Sequence, residues 1–208
     1  VTALDPASVA TAAPARRPWL MGAFLLLTGA VGWWGAMALI TERVAKLIDP
    51  QHVLNCDINP LVSCGSVMES WQASLLGFPN PLLGVAGFVA PMAVGVALLA
   101  GARFARWFWA LFLAGVAGAW VFVTWLFTQS VYEIGALCPW CMLVWAAVIP
   151  LFWWLLAWLL ATGRLTGGAG RRVGAAVLPF TWAIVVVNYA VIVLAIIVQF
   201  PTLLPSLL

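Results

Sequence analysis

Charge is what this sequence has least of. Only 7% of its 208 residues are Asp, Glu, Lys or Arg, and it holds one histidine. Soluble domains carry about 25% charged residues, so a freely soluble fold is excluded. Mean hydropathy is +1.11. The apolar runs lack the alternation over about ten residues that marks barrel strands, which excludes a transmembrane β-barrel. Also missing are a Gly-x-Gly-x-x-Gly fingerprint, a haem-attachment motif and the cysteine spacing of an iron–sulfur protein. Neither an internal repeat nor a second, soluble domain is visible.

What is present reads as an all-α integral membrane protein. Lipid cannot satisfy exposed backbone groups, and a span of about 30 Å takes roughly 20 helical residues. Charge-free stretches cover 18–41, 70–102, 107–132, 134–163 and 173–208. Trimmed at Pro, Gly and polar residues, they predict helices over 19–41, 81–102, 107–131, 138–161 and 176–199. The expected organisation is a disordered cytoplasmic tail (1–18), a four-helix bundle (19–161) containing a long loop (42–80), a cytoplasmic linker (162–175), and a fifth helix with a short outer tail (176–208). A signal peptide cleaved after Ala38 is the alternative for the first segment. It is disfavoured because signal cores run about 7–15 residues, and this run is long enough to span.

Basic residues set the expected orientation. Arg16, Arg17, Arg103, Arg106, Arg164, Arg171 and Arg172 fall on one side, and only Arg43 and Lys46 on the other. By the positive-inside rule the N-terminus is cytoplasmic and loop 42–80 faces outward. The net charge of +3 is thus a matter of topology, with no call for nucleic acid.

All four cysteines then share the outer layer: Cys56 and Cys64 in the loop, and Cys138 and Cys141 in "CPWC" at the head of the fourth helix. Disulfides persist in that compartment. Three readings compete. Two structural disulfides suit the loop pair, but a bridge across Cys-x-x-Cys is typical of redox-active pairs. A structural zinc site prefers short spacers in both ligand pairs, and "CDINPLVSC" has a long one; His52 would be a substitute ligand. The third reading, a thiol relay between two dithiols, fits best, and no metal is expected. Cys138 sits where helix N–H groups favour a thiolate, with Pro139 at the first helical position. Cys141 lies about 4.5 Å deeper, where it meets lipid-side chemistry. Its electrons need an acceptor, and a membrane quinone is the simplest, with Trp140 and Trp145 placed to line a flat ring.

These features resemble the vitamin K epoxide reductase family in its bacterial form. The match rests on the paired-cysteine loop between helices one and two, the Cys-x-x-Cys opening helix four, Ser70 six residues after Cys64, and "NPLLG" with Asn80 and Gly84 before helix two. It covers residues 19–161. The resemblance implies an oxidoreductase acting on thiols with a quinone as acceptor, menaquinone rather than ubiquinone being the guess. It implies Cys56, Cys64, Cys138 and Cys141 as catalytic residues, and Asn80, Trp145, Ser70 and Phe88 as quinone-binding ones. The implied partner is a separate thioredoxin-like (DsbA-like) thiol oxidase, because many bacterial relatives fuse such a domain after helix five and this sequence ends at Leu208. Cys64 is the loop cysteine expected to bridge Cys138. The implied task is disulfide formation in exported proteins at a bacterial inner membrane. A quinone-epoxide reductase of the vitamin K cycle is the alternative. Vitamin K-cycle members carry a tyrosine where this chain has Trp145, and an indole donates but cannot accept.

Three local readings complete the set. Residues 67–78, "VMESWQASLLGF", predict one short amphipathic helix capping the quinone pocket. Asp57 and Glu69 read as solvated loop charges. Gln129 and Asn188 read as helix–helix hydrogen-bonding groups.

Overall fold

The computed structural model describes residues 18–201. The proposed tail before Pro18 and the last residues after Pro201 lie outside that range. Seven α-helices follow in order: α1 (Pro18–Ile48), α2 (Cys64–Met68), α3 (Pro81–Leu99), α4 (Arg106–Thr128), α5 (Pro139–Ala161), α6 (Gly168–Val177) and α7 (Thr181–Gln199). There is no strand among the described residues. Five stretches are long and apolar enough to cross a membrane: Pro18–Ile48, Pro81–Leu99, Arg106–Ile134, Pro139–Ala161 and Gly168–Gln199. The chain is a multi-pass membrane protein.

Helix α5 is the axis. It packs against α1, α4, α6 and α7, while α3 packs chiefly on α1. The α1–α3 seam is tight because glycines face each other: a Cβ on Gly22 would lie 2.9 Å from the Gly95 carbonyl oxygen, and one on Gly95 would lie 2.7 Å from that of Gly22. Small residues at such seams let membrane helices approach closely. Helices α3 and α4 are joined by a short turn, yet a cavity opens between them.

Several elements depart from the sequence expectation. Helix α1 continues to Ile48, because the charges that end the apolar run do not end the helix; they anchor the loop instead. Glu42 accepts from the Asn55 side chain at 2.8 Å, Arg43 donates to the Met68 carbonyl at 3.1 Å, and Lys46 pairs with Glu69 at 2.6 Å. Residues 67–78 are not one helix. Ser70 adopts an extended conformation (ψ 152°) and donates to the Val67 carbonyl at 2.7 Å, so α2 stops at Met68 and a separate 3₁₀ turn covers Trp71–Ser74. The expected linker 162–175 contains most of α6, a helix that its glycines hide from a hydropathy reading. Asp57 and Glu69 are not merely solvated. Asp57 accepts from Gly65 N at 3.0 Å and Ser63 Oγ at 2.9 Å, which caps the start of α2.

Candidate active site

The site is assembled by a small piece of parallel bridge between the loop and the head of α5. Asn59 Oδ1 accepts from the backbone N–H groups of Leu61 (3.0 Å) and Val62 (2.8 Å), which turns the chain between the two loop cysteines. Val62 then pairs with Leu137: Leu137 N donates to Leu61 O at 2.8 Å, and Ser63 N donates to Leu137 O at 3.0 Å. The next residue on each side of that bridge leads directly to Cys64 and Cys138. On the α5 side the strand is delivered by a π-helical turn, Gln129–Ile134, that ends in left-handed Gly135 (φ +73°). Ser130 fastens it by donating to the Ala136 carbonyl.

Cys56 and Cys64 form a disulfide, while Cys138 and Cys141 are free thiols. Cys138 Sγ lies 3.2 Å from Cys64 Sγ, within the range of near-attack contacts, about 3–3.5 Å. All three of these sulfur-bearing residues at the exchange point are buried: Cys56 is 4% exposed, and Cys64 and Cys138 are 0% exposed. Leu39, Leu54 and Met68 close around them, with Trp140 packed alongside. Cys138 is the N-cap of α5, with Pro139 in the first turn, and its sulfur accepts from Cys141 N at 3.4 Å. A hydrogen bond from the Cys141 thiol lowers the Cys138 pKa most, aided by the backbone N–H groups of Cys141 and Trp140. Burial and the Asp57 charge oppose this, and the net shift is downward.

Cys141 faces the other way, onto a cavity of about 1270 Å³. Cys141, Val144, Trp145 and Val148 line it as one stripe of α5, as helical spacing requires. Ser70, Asn80 and Phe88 line the same cavity. Trp140 does not; one position off the stripe, it packs against the sulfurs. Polar lining is confined to the thiol end: Arg43, Ser70, Gln72, Asn80, Gln129 and Ser130. Below it the walls are apolar, and at Gly87, Gly115 and Gly118 a Cβ would meet nothing within 4 Å. Trp145 stands edge-on to Phe127 at 5.2 Å.

A family model described as the vitamin K epoxide reductase family matches residues 23–156. The chain belongs to the vitamin K epoxide reductase family. Searches of the curated proteins and of the solved structures find no match. Family membership makes the protein a membrane oxidoreductase that acts on thiols with a quinone as electron acceptor and works with thioredoxin-like partners.

The cavity fits a quinone by its own chemistry. It is apolar along its length, as an isoprenoid tail requires, and polar only beside Cys141. Asn80 Nδ2 donates one hydrogen to the Gln72 carbonyl at 2.6 Å, while its buried Oδ1 has no partner. A buried unpaired acceptor is costly; a hydroxyl of the reduced quinol would satisfy it, while the second Nδ2 hydrogen is the one that can donate to a quinone carbonyl. Ser70, in contrast, already spends its hydroxyl on Val67.

One residue at this end, Gln72, escaped the sequence reading, and Gln129 has a different partner from the one expected. Gln72 is buried and donates to Gln129 Oε1 at 3.2 Å, so Gln129 serves the loop and not a helix–helix contact. Its place as a lone amide in an apolar span was the available signal. Asn188 does bond between helices, accepting from Trp153 Nε1 at 3.2 Å. The Val62–Leu137 bridge had no signal at all, because it is made by backbone.

Proposed function

We propose that the protein reoxidises a separate thioredoxin-like thiol oxidase and sends the two electrons through its four cysteines to a membrane quinone. The carrying observation is the 3.2 Å approach of Cys64 Sγ to Cys138 Sγ, with Cys141 on the wall of the apolar cavity. In this reading the partner's thiolate attacks Cys56, forms a mixed disulfide and releases Cys64 as a thiolate; the partner's second thiol then resolves it. Cys64 attacks Cys138 of a Cys138–Cys141 disulfide, and Cys141 leaves as a thiolate. Cys56 next attacks Cys64, which restores the loop disulfide and frees Cys138. The structure has the loop bridged and Cys138 and Cys141 as free thiols.

The bound quinone supplies a two-electron, two-proton sink. The chain's part in that step is to present Cys141 at the polar end of the slot, to keep water away with Phe88 and Trp145, and to orient the head group with Asn80. Val53 and Ile58, 77% and 66% exposed, flank the buried Cys56 and offer apolar ground for a partner. Reaching Cys56 requires the loop to loosen, since both loop sulfurs are covered.

We further propose that the arginine-rich end faces the cytoplasm and the cysteines the outside of a bacterial inner membrane, where the activity supports disulfide formation in exported proteins. Menaquinone is the proposed acceptor. The test combines purified protein, a reduced thioredoxin-like oxidase and a soluble quinone analogue. Quinone loss should match partner disulfide gained, one for one, and should vanish in Cys141→Ala. Wild-type turnover in that variant would sink the relay.

A further inference from the structure

At the end of the bundle opposite the cysteines lies a second polar corner that the redox chemistry does not use. It is built where the α5–α6 turn meets the start of α4. Arg164 lies over two indoles, its guanidinium carbon 4.7 Å from the Trp158 ring centre and 5.5 Å from that of Trp109. Those rings hold it in place, themselves edge-to-face at 5.5 Å. Its Nε is buried without an acceptor, and so is the hydroxyl of Thr166 two residues on. Gly174 lets α6 fold back onto the end of α5, because a Cβ there would overlap Leu160 and the Ala161 backbone. That fold-back brings the Arg171 side chain across Gly163, with its Cδ 3.4 Å from where a Cβ would stand.

Charge balance makes this corner unusual. Burial first, and the nearby Arg103 second, push the Arg164 pKa downward. The acids of the described residues are Glu42, Asp49, Asp57, Glu69 and Glu133. They belong to α1's far end, the loop and the π-turn, all at the cysteine end. Among the described residues the only ion pairs are Lys46–Glu69 and His52–Glu42. Among the described residues, Arg103, Arg164 and Arg171 therefore share their end of the bundle with no carboxylate. Arg103 and Arg171 are exposed, whereas the Arg164 Nε and the Thr166 hydroxyl are buried without partners; a held guanidinium with an unsatisfied buried donor is costly unless an anion joins it. Planar guanidinium groups match phosphate oxygens especially well.

We propose that Arg164, Arg103 and Arg171, with the Thr166 hydroxyl, form a binding site for a phosphate oxyanion. The phosphate of an anionic phospholipid headgroup and free phosphate share this chemistry. The site lies at the ends of membrane-length helices, just outside Pro139–Ala161, which favours the lipid source. Its occupant would neutralise the guanidinium cluster and lock α6 against α5.

The experiment uses the full chain, delipidated in detergent. It is mixed with phosphatidylglycerol or phosphatidylcholine at equal concentration, and retained lipid is read by native mass spectrometry. The wild type should retain phosphatidylglycerol about tenfold better than phosphatidylcholine, which offers the same phosphate but sets a choline cation against the arginines, a like-charge penalty of about that factor. Arg164→Gln should bring the two to parity. Because that change also removes the indole stack, Arg103→Gln provides a second variant that leaves the stack intact, and it should lower retention in the same direction. Helical content and elution volume check folding independently of the redox activity. In a parallel arm inorganic phosphate is titrated while the thermal midpoint is followed. Saturable stabilisation by phosphate, lost in both variants and without lipid preference, would assign the same site to free phosphate. Equal lipid retention with no phosphate effect, or effects undiminished in both variants, would overturn the proposal.

Discussion

The contact between Cys64 and Cys138 can be tested by leaving each loop cysteine alone with Cys138. Cys56→Ser combined with Cys141→Ser keeps only Cys64 and Cys138; Cys64→Ser with Cys141→Ser keeps Cys56 and Cys138. Closing the 3.2 Å gap to a bond of about 2.05 Å takes a shift of about 1 Å. The first variant should therefore bridge readily under a mild oxidant. The second must rearrange the loop, and misplacement by about 1 Å already costs on the order of 100-fold in rate. Thiol-specific mass tagging on a gel reads both rates. The bridge also has a stability signature. It joins residues 74 positions apart, and closing a loop of that length constrains the unfolded chain by up to about 4.5 kcal/mol. The native loop disulfide, at separation 8, is worth about 2.6 kcal/mol on the same relation. At about 2–4 °C per kcal/mol for a chain of this size, oxidising the first variant should raise its thermal midpoint by up to roughly 9–18 °C. The larger figure is a ceiling, since membrane helices persist after unfolding. Equal or faster bridging through Cys56, or no bridging through Cys64, would refute the geometry on which the relay depends.

Other outcomes follow from the same contacts. Alkylation of Cys138 by a small probe should rise with pH through a midpoint below that of an ordinary thiol, about 8.5; below its pKa the sulfur keeps its proton and is inert. Cys141→Ala removes the largest lowering contact, so the midpoint should move up, and an unmoved midpoint would show that the hydrogen bond is not the cause. Leu137→Pro deletes the donor to Leu61 O and should slow Cys64–Cys138 exchange on the order of 100-fold, with the KM for a quinone analogue unchanged. In Gly32→Ala the new methyl would overlap the Phe88 ring. Overpacking of this kind costs about 1–3 kcal/mol, and the displaced ring should raise the quinone KM without slowing disulfide exchange. Asn80→Ala strands the Gln72 carbonyl and should raise the quinone KM about tenfold; an unchanged KM would remove Asn80 from the head-group site.

By itself the sequence determined the solvent, the architecture and the chemistry. With 7% charged residues no other solvent than lipid is open to the chain, and in lipid only helices satisfy the backbone of runs that long. Cysteine pairing and the helix-heading "CPWC" were legible for a related reason: residue type and local spacing set them. Tertiary structure decided the rest. That Cys64 meets Cys138 was expected only through the family resemblance; what makes it so is a two-bond backbone bridge between Leu61, Ser63 and Leu137, and backbone groups leave no mark in residue type. The extension of α1 beneath the loop and the Gln72–Gln129 pair arise the same way, from partners far apart in the chain, whereas the break at Ser70 comes from a bond only three residues back. Hydropathy records where a helix must be apolar; it does not record where a helix that has left the membrane goes on to hold something else.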